Sequence, residues 1–251
     1  MKYAIIAAGE GSRLAHEGVS APKPLVKIGG EHLIDRLIRI FMQNDAEEIV
    51  VICNAHMPEV AAHLEKLCRD GLNGQPLPLK VVVKSTPSSM HSMFEISPYL
   101  EDSPFCLTTV DTIFREEEFA QYAETMRRGI AEGCFDGLMA TTDYIDDEKP
   151  LYISTATDGT TITGFHDTES GCSLISGGIY GLAPRSIETL RHCVERGESR
   201  MRNFQRAMVA DGLRLKSYSF SKILDIDHRN DIAKAETFLG DSGQGKELQH
   251  P

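Results

Sequence analysis

Tryptophan is absent from the 251 residues, aromatic side chains make up only 7%, and none of the six cysteines falls in a CxxC pair. The missing pairs exclude the common zinc-knuckle and dithiol redox patterns. The cysteines stand at 53, 68, 106, 134, 172 and 193, several inside apolar runs where a thiol packs as a small hydrophobe, so reduced thiols are expected. No apolar run approaches the ~20 residues that span a bilayer, and the first residues enter a strand pattern without a basic leader and cleavage site. Together these features predict a cytoplasmic chain. Basic residues are also scarce: 26 Lys and Arg stand against 37 Asp and Glu, a net charge of −11. That balance argues against nucleic acid and anionic membrane as partners, and a phosphate-bearing ligand would need a local cationic pocket. Internal repeats and low-complexity linkers are lacking too. One domain over 1–240 is expected, followed by a polar, glycine-containing tail over 241–251 that is predicted to be disordered. The oligomeric state is left open.

What is present is alternation. Runs suited to buried strands occupy 3–7, 49–53, 80–83, 105–109 and 137–140, with helical patterns between most of them. Leu33, Ile34, Leu37, Ile38 and Phe41 repeat at helical spacing, with Asp35, Arg36, Arg39 and Gln43 on the other side, which predicts a helix over about 31–44. Further helices are expected over 59–69, 116–132, 185–196, 203–211 and 230–239. After Leu151 the Asp158-Gly159 turn joins two short strand patterns into a hairpin, and 174–182 supplies another strand. The fold class is therefore α/β: a single-domain, Rossmann-like, mixed but mostly parallel sheet flanked by helices, with a small β-hairpin region.

The first strand runs into Ala7-Ala8-Gly9-Glu10-Gly11-Ser12-Arg13-Leu14, and Lys23 follows between two prolines. Gly9 and Gly11 let backbone amides approach phosphate oxygens without a Cβ in the way. Arg13 adds a planar cationic fork, Lys23 a compact charge, and Pro22 and Pro24 fix the backbone around it. A plain strand-to-helix turn with solvated cations is the competing reading. A dinucleotide-binding loop fits poorly, because Leu14 stands where a third small residue belongs and the second strand ends in Asn54, without the acid a ribose needs. No Walker A pattern occurs.

The segment 5–30 resembles the signature of the sugar-phosphate nucleotidylyltransferases and related pyrophosphorylases, Ala-Ala-Gly-x-Gly-Ser/Thr-Arg-Leu/Met followed by Pro-Lys-Pro-Leu. The resemblance implies a GT-A-like fold. It also implies transfer of a nucleoside monophosphate from a triphosphate to a phosphorylated small-molecule acceptor, most commonly a sugar 1-phosphate, with release of pyrophosphate. By the same resemblance Ala7, Ala8, Gly9, Gly11 and Ser12 hold the nucleotide, Arg13 contacts the leaving phosphates and Lys23 neutralises the α-phosphate. Cytidylyl transfer to phosphocholine or a similar phosphorylated alcohol is the alternative, and a non-catalytic nucleotide-sensing module on the same fold the more distant one.

Such chemistry gains from Mg²⁺ bridging phosphate oxygens, which calls for carboxylates at strand ends. Asp111 ends the apolar run 105–110, and Lys222-Ile223-Leu224-Asp225-Ile226-Asp227 resembles the family's late Asp-Ile-Asp segment. Asp111 and Asp225 are thus the expected metal ligands, with Asp227 the substitute, although either strand end could instead cap a helix. Ser88 and Ser89 stand where most relatives carry Gly-Thr beside the base. Gly178 and Tyr180, in Ser176-Gly177-Gly178-Ile179-Tyr180, resemble the strand that faces the acceptor. Where many sugar-1-phosphate enzymes have Glu-Lys-Pro, this chain reads Phe165-His166-Asp167-Thr168-Glu169, so the acceptor-phosphate lysine is missing; Arg200, Arg202 and Arg206 are candidates to replace it.

Overall fold

Tyr3, Ile5 and Ala7 enter one hydrophobic cluster while Ala4, Ile6 and Ala8 enter another, so the first strand, β1 (Lys2–Ala7), is buried on both faces. A strand of that kind requires helices on either side of its sheet. The computed structural model describes residues 1–146, 148–169 and 171–240; the tail expected at 241–251 lies outside the described residues. After β1 come a short helix α1 (Ser12–His16), a ribbon of β2 (Lys27–Ile28) and β3 (Glu31–His32), and α2 (Leu33–Gln43). The order continues with β4 (Glu48–Cys53), α3 (Pro58–Asp70), β5 (Leu79–Val83), α4 (Ser89–Ile96), β6 (Phe105–Thr109), β7 (Thr112–Ile113), α5 (Glu116–Ala131) and β8 (Gly137–Thr142). The hairpin β9 (Tyr152–Thr155) and β10 (Ile162–His166) leads to β11 (Leu174–Leu182), α6 (Ser186–Glu195), α7 (Met201–Ala210), β12 (Leu215–Ser219), β13 (Leu224–Asp225) and α8 (Arg229–Gly240).

The main sheet runs β10-β9-β11-β6-β1-β4-β5, with β8 on the other edge of β11 and β12 beyond it. Strands β6, β1, β4 and β5 are mutually parallel, as is β12 to β8, whereas β11 runs antiparallel to β6, β8 and β9. The expected mixed sheet with a parallel centre and a hairpin region is what forms. β11 is its seam: Ile179–Leu182 pair with β6, while Leu174 and Ile175 pair with β9. Between those stretches the register against β8 shifts, and Gly178 takes a left-handed φ of 74°. A bulge of this kind opens a fork in the sheet.

Helix α2 buries Leu33, Ile34, Leu37, Ile38 and Phe41 as its spacing predicts, and the Phe41 ring stacks on Tyr3 with centroids 4.3 Å apart. Arg36 departs from the predicted polar face. It is 3% exposed, donates from one guanidinium nitrogen to the Phe114 carbonyl at 2.7 Å and lies over the Phe114 ring; a cation with an aromatic face and a carbonyl can be buried where a bare one cannot. A second difference is α1, a single short helix directly after Gly11 where the sequence pattern placed the first helix at about 31. Gly11 makes it possible by adopting φ 61°, a conformation that costs a side-chain-bearing residue far more.

On the far edge, Asp136 fixes how β8 meets β12. Its carboxylate accepts from the Arg214 backbone amide at 2.8 Å and from the Arg214 guanidinium, and pairs with Arg185 at 3.0 Å. Burial alone would raise its pKa; the bonds from Arg214 and the charge of Arg185 outweigh that and hold it below the usual carboxylate range. A depressed folded-state pKa stabilises above the unfolded value of roughly 3.9 and ceases to do so as pH falls through the folded one. Asp136→Asn is therefore expected to lose about 1–3 kcal/mol at pH 7, with the gap to wild type closing as urea melts are repeated toward pH 3. A gap unchanged with pH would show that the charge of Asp136 contributes nothing. Among the described residues no helix is long and apolar enough to cross a membrane.

Candidate functional site

The C-terminal ends of parallel strands are where open α/β sheets bind ligands, and here the ends of β1, β4 and β6 bring Ala8, Asn54 and Asp111 to one rim. A cleft of about 510 Å³ opens there, within the range of small-molecule sites. Ala8, Gly9, Gly11, Lys23, Ser88, Ser89 and Asp111 of the predicted residues line it. Ala7 is buried as the last residue of β1, and Ser12 is exposed at the start of α1; neither lines the cleft. A second cavity of about 130 Å³ lies in the fork beside β11 and is lined by Arg13, Ser176, Gly177, Asp225, Asp227 and Lys234 among others.

Lys23 and Asp227 join the two spaces. The Lys23 ammonium, 12% exposed, donates to Asp111 Oδ2 at 2.6 Å and to Asp227 Oδ1 at 2.7 Å. Arg13 donates to the other Asp227 oxygen at 2.8 Å. Burial pulls the Lys23 pKa down, but two carboxylates in contact more than offset it, and the ammonium is held above its ordinary value. It is a fixed cation, unsuited to taking up a proton.

The ribbon β7–β13 builds the acidic side. Asp225 is paired with Thr112, and the Ile226 amide donates to the Asp111 carbonyl at 3.1 Å, so residues 225–227 lie directly alongside Asp111. Asp227 is not the cap of α8. That work falls to Asp231, whose Oδ2 accepts from the amides of Asp227 at 3.1 Å and His228 at 2.7 Å, leaving the Asp227 side chain to the cations. Neither is Asp111 the cap of α5, whose N-cap residue is Arg115. Asp225 ends β13 with Asp111 and Asp227 directly beside it, and carboxylates are hard oxygen donors of the kind Mg²⁺ takes; Asp111 and Asp227 are both engaged by Lys23.

The loop before α4, strand β11 and the arginines of α7 differ in detail from their sequence pattern. Ser88 bonds the His91 ring at 2.9 Å and accepts from the Arg200 amide at 3.3 Å, tying the loop before α4 to the start of α7. Tyr180 is 6% exposed within the second hydrophobic cluster, where burial raises the pKa of its hydroxyl. The bulge turns Ser176 and Gly177 into the fork in place of Gly178 and Tyr180. Gly178 instead lies under Thr112, whose hydroxyl would be 3.4 Å from a Cβ built there. Arg202 and Arg206 both clasp Asp167, at 2.5 and 2.7 Å, which offsets one of their two charges; Arg13 and Lys234 are the arginine and lysine side chains in the described lining of the fork.

Sequence reasoning missed Asn54, His56, Ser85 and Thr86 on the wall of the larger cleft. Asn54 organises them, donating to the Ala8 carbonyl at 3.0 Å and accepting from the His56 amide at 3.0 Å and the Ser85 hydroxyl at 2.6 Å. Its position at the end of β4 was the available signal.

Comparison with known proteins follows the same lines. The chain is 24% identical over 257 residues to the bifunctional protein GlmU of Thermodesulfovibrio yellowstonii, covering 96% of this chain and 52% of the relative, so it spans about half that protein's length. It is 23% identical over 206 residues to a probable glucose-1-phosphate cytidylyltransferase of Bacillus subtilis, covering 76% and 78% of the two chains. The inositol-1-phosphate CTP transferase of T. maritima superimposes with a TM-score of 0.76 at 18% identity, covering 97% of this chain and 96% of the other. A putative glucose-1-phosphate thymidylyltransferase from Bacillus anthracis does so at 0.80 and 18%, covering 98% of each. These solved structures share the fold, a GT-A-like α/β sheet. The match that carries family membership spans residues 3–155, from β1 to the end of β9, and by it the chain belongs to the MobA-like NTP transferase domain family.

Proposed function

We propose that the protein transfers a nucleoside monophosphate from a nucleoside triphosphate to a phosphorylated acceptor of the sugar 1-phosphate class, releasing pyrophosphate. The observation that carries this is the contact of Lys23 with both Asp111 and Asp227 at the junction of the two clefts. The larger cleft takes the triphosphate, its phosphates over Ala8, Gly9 and Gly11 and its base toward Ser88 and Ser89. The fork takes the acceptor against Ser176 and Gly177. An acceptor phosphate oxygen attacks the α-phosphorus in line from the fork, the bond to the bridging oxygen breaks, and pyrophosphate departs on the opposite side, over the glycine loop of the larger cleft. A phosphate monoester is already anionic at neutral pH, so no strong base is required. Lys23 supplies fixed positive charge where negative charge accumulates, and orientation by the two clefts does the rest. Asp111, Asp225 and Asp227 would hold Mg²⁺, which when bound offsets phosphate charge. The reading places the activity in the cytoplasm, where triphosphates are supplied.

The relatives and neighbours include by name a cytidylyltransferase, a thymidylyltransferase and a UDP-glucose pyrophosphorylase, so the base is settled by experiment. With Mg²⁺ present, the preferred triphosphate at about a hundred times its dissociation constant should add ~2.7 kcal/mol of stability in a thermal-shift panel of the four common ones. Pyrophosphate release is then measured with sugar 1-phosphates and phosphocholine. The second reading, an acceptor bearing its own cation, is favoured by the acid-rich fork, where Asp146, Glu148, Asp225, Asp227 and Asp231 outnumber Arg13 and Lys234; release with phosphocholine alone would select it. Stabilisation by a triphosphate without release for any acceptor would leave a nucleotide-sensing module.

A further inference from the structure

A second cluster of metal-ligating side chains lies away from the clefts, where α2 meets α3. His32 is the N-cap residue of α2, Asp35 sits in that helix's first turn, and His63 comes across from α3. His32 Nδ1 is 3.0 Å from Asp35 Oδ2, and His63 Nε2 is 2.6 Å from Asp35 Oδ1. One ligand atom from each residue lies within 4.8 Å of the other two. The two rings stand edge to face, with centroids 5.0 Å apart and planes at 83°. Their side chains are 26%, 15% and 21% exposed, in that order, which leaves solvent a path while the helices fix the frame.

We propose that His32, Asp35 and His63 form a Zn²⁺ site that cross-links α2 to α3. Two imidazole nitrogens and a carboxylate oxygen make a borderline donor set that suits Zn²⁺ and related transition ions and disfavours Mg²⁺. Ligands about a tetrahedral Zn²⁺ lie on the order of 3.4 Å apart, so the present separations need only small side-chain rotations. His32 and Asp35 are three residues apart on one helix face, and the third ligand comes from another element, so the ion acts as a staple. Its fourth position is left to water. The Leu33 amide donates to the Val26 carbonyl at 2.9 Å and the Val26 amide to the Lys23 carbonyl at 3.1 Å, so the start of α2 also carries the turn that presents Lys23.

The test is metal content and spectrum, independent of turnover. With millimolar Mg²⁺ present to occupy the all-carboxylate site, the wild-type protein is expected to retain one equivalent of Zn²⁺ after dialysis and to show a rise in Tm on Zn²⁺ addition. Co²⁺ in its place should give visible absorption of a low-coordinate nitrogen and oxygen environment. His63→Ala and Asp35→Asn should each weaken Zn²⁺ binding at least tenfold to a hundredfold, the loss seen even for outer-shell partners. His63→Gln, closer in shape, separates loss of the ligand from loss of packing: it should fold with wild-type circular dichroism and still fail to bind. Wild-type protein without stoichiometric Zn²⁺, or variants that bind it undiminished, would overturn the proposal.

Discussion

Replacing Lys23 by alanine is expected to lower kcat by about 10²- to 10³-fold, the loss typical when one fixed donor is removed from a site of developing charge. The KM for the triphosphate should change far less, since the glycine loop and the rest of the larger cleft remain. Such a split identifies an interaction made mainly in the transition state. The geometry adds a second expected effect. Lys23 keeps Asp111 and Asp227 together by contacts of 2.6 and 2.7 Å, and without it the two carboxylates face one another with only Arg13, on Asp227, to offset them. The variant should therefore depend more steeply on Mg²⁺ for thermal stability than the wild type does. Pyrophosphate release within threefold of wild type at saturating substrates would remove Lys23 from the chemistry.

Asp111→Asn is expected to be nearly as damaging, with turnover down by about 10² or more, for a different reason. The amide keeps the shape but loses the charge that a hard dication selects. The Mg²⁺ concentration for half-maximal rate should rise at least about tenfold, consistent with loss of an anionic ligand. Asp111 also pairs with Lys23, so a slower variant alone would not separate metal binding from positioning of the lysine. The metal requirement does so: a lower kcat at unchanged Mg²⁺ dependence would make Asp111 a positioning residue. Asp227→Asn supplies the comparison, because Asp227 holds both Lys23 and Arg13.

The layers of the fold were legible because strands buried on both faces and helices buried on one leave different periods in a sequence. Strand β11 at Leu174–Leu182 and the apolar face of α2 formed as the pattern predicts. The two-residue ribbons were not legible, since β2, β3, β7 and β13 are too short to carry a period. Yet β7 and β13 are what set Asp111 beside Asp225 and Asp227. Lys23 was legible from its place between two prolines and in the family signature, and Asp111 as an acid ending an apolar strand; their direct contact across 88 residues was not. Strand β11 was harder to read in detail. Alternation runs through a strand only until a bulge interrupts it, and the shift between Ser176 and Tyr180 turned an earlier pair of residues into the fork. Arg202 and Arg206 share Asp167, a partner invisible to a reading that counts cations one at a time.

The pairing of Asp227 with Arg13 and Lys23 has a bearing on how the enzyme comes into being. Translation delivers the glycine loop first and Asp227 only after some two hundred further residues, when β13 can lay down beside β7. On the ribosome, then, a chain with most of its sheet assembled can already set Lys23 against Asp111, while Arg13 still awaits its counter-charge. The last carboxylate of the cluster is thus also the last to be made.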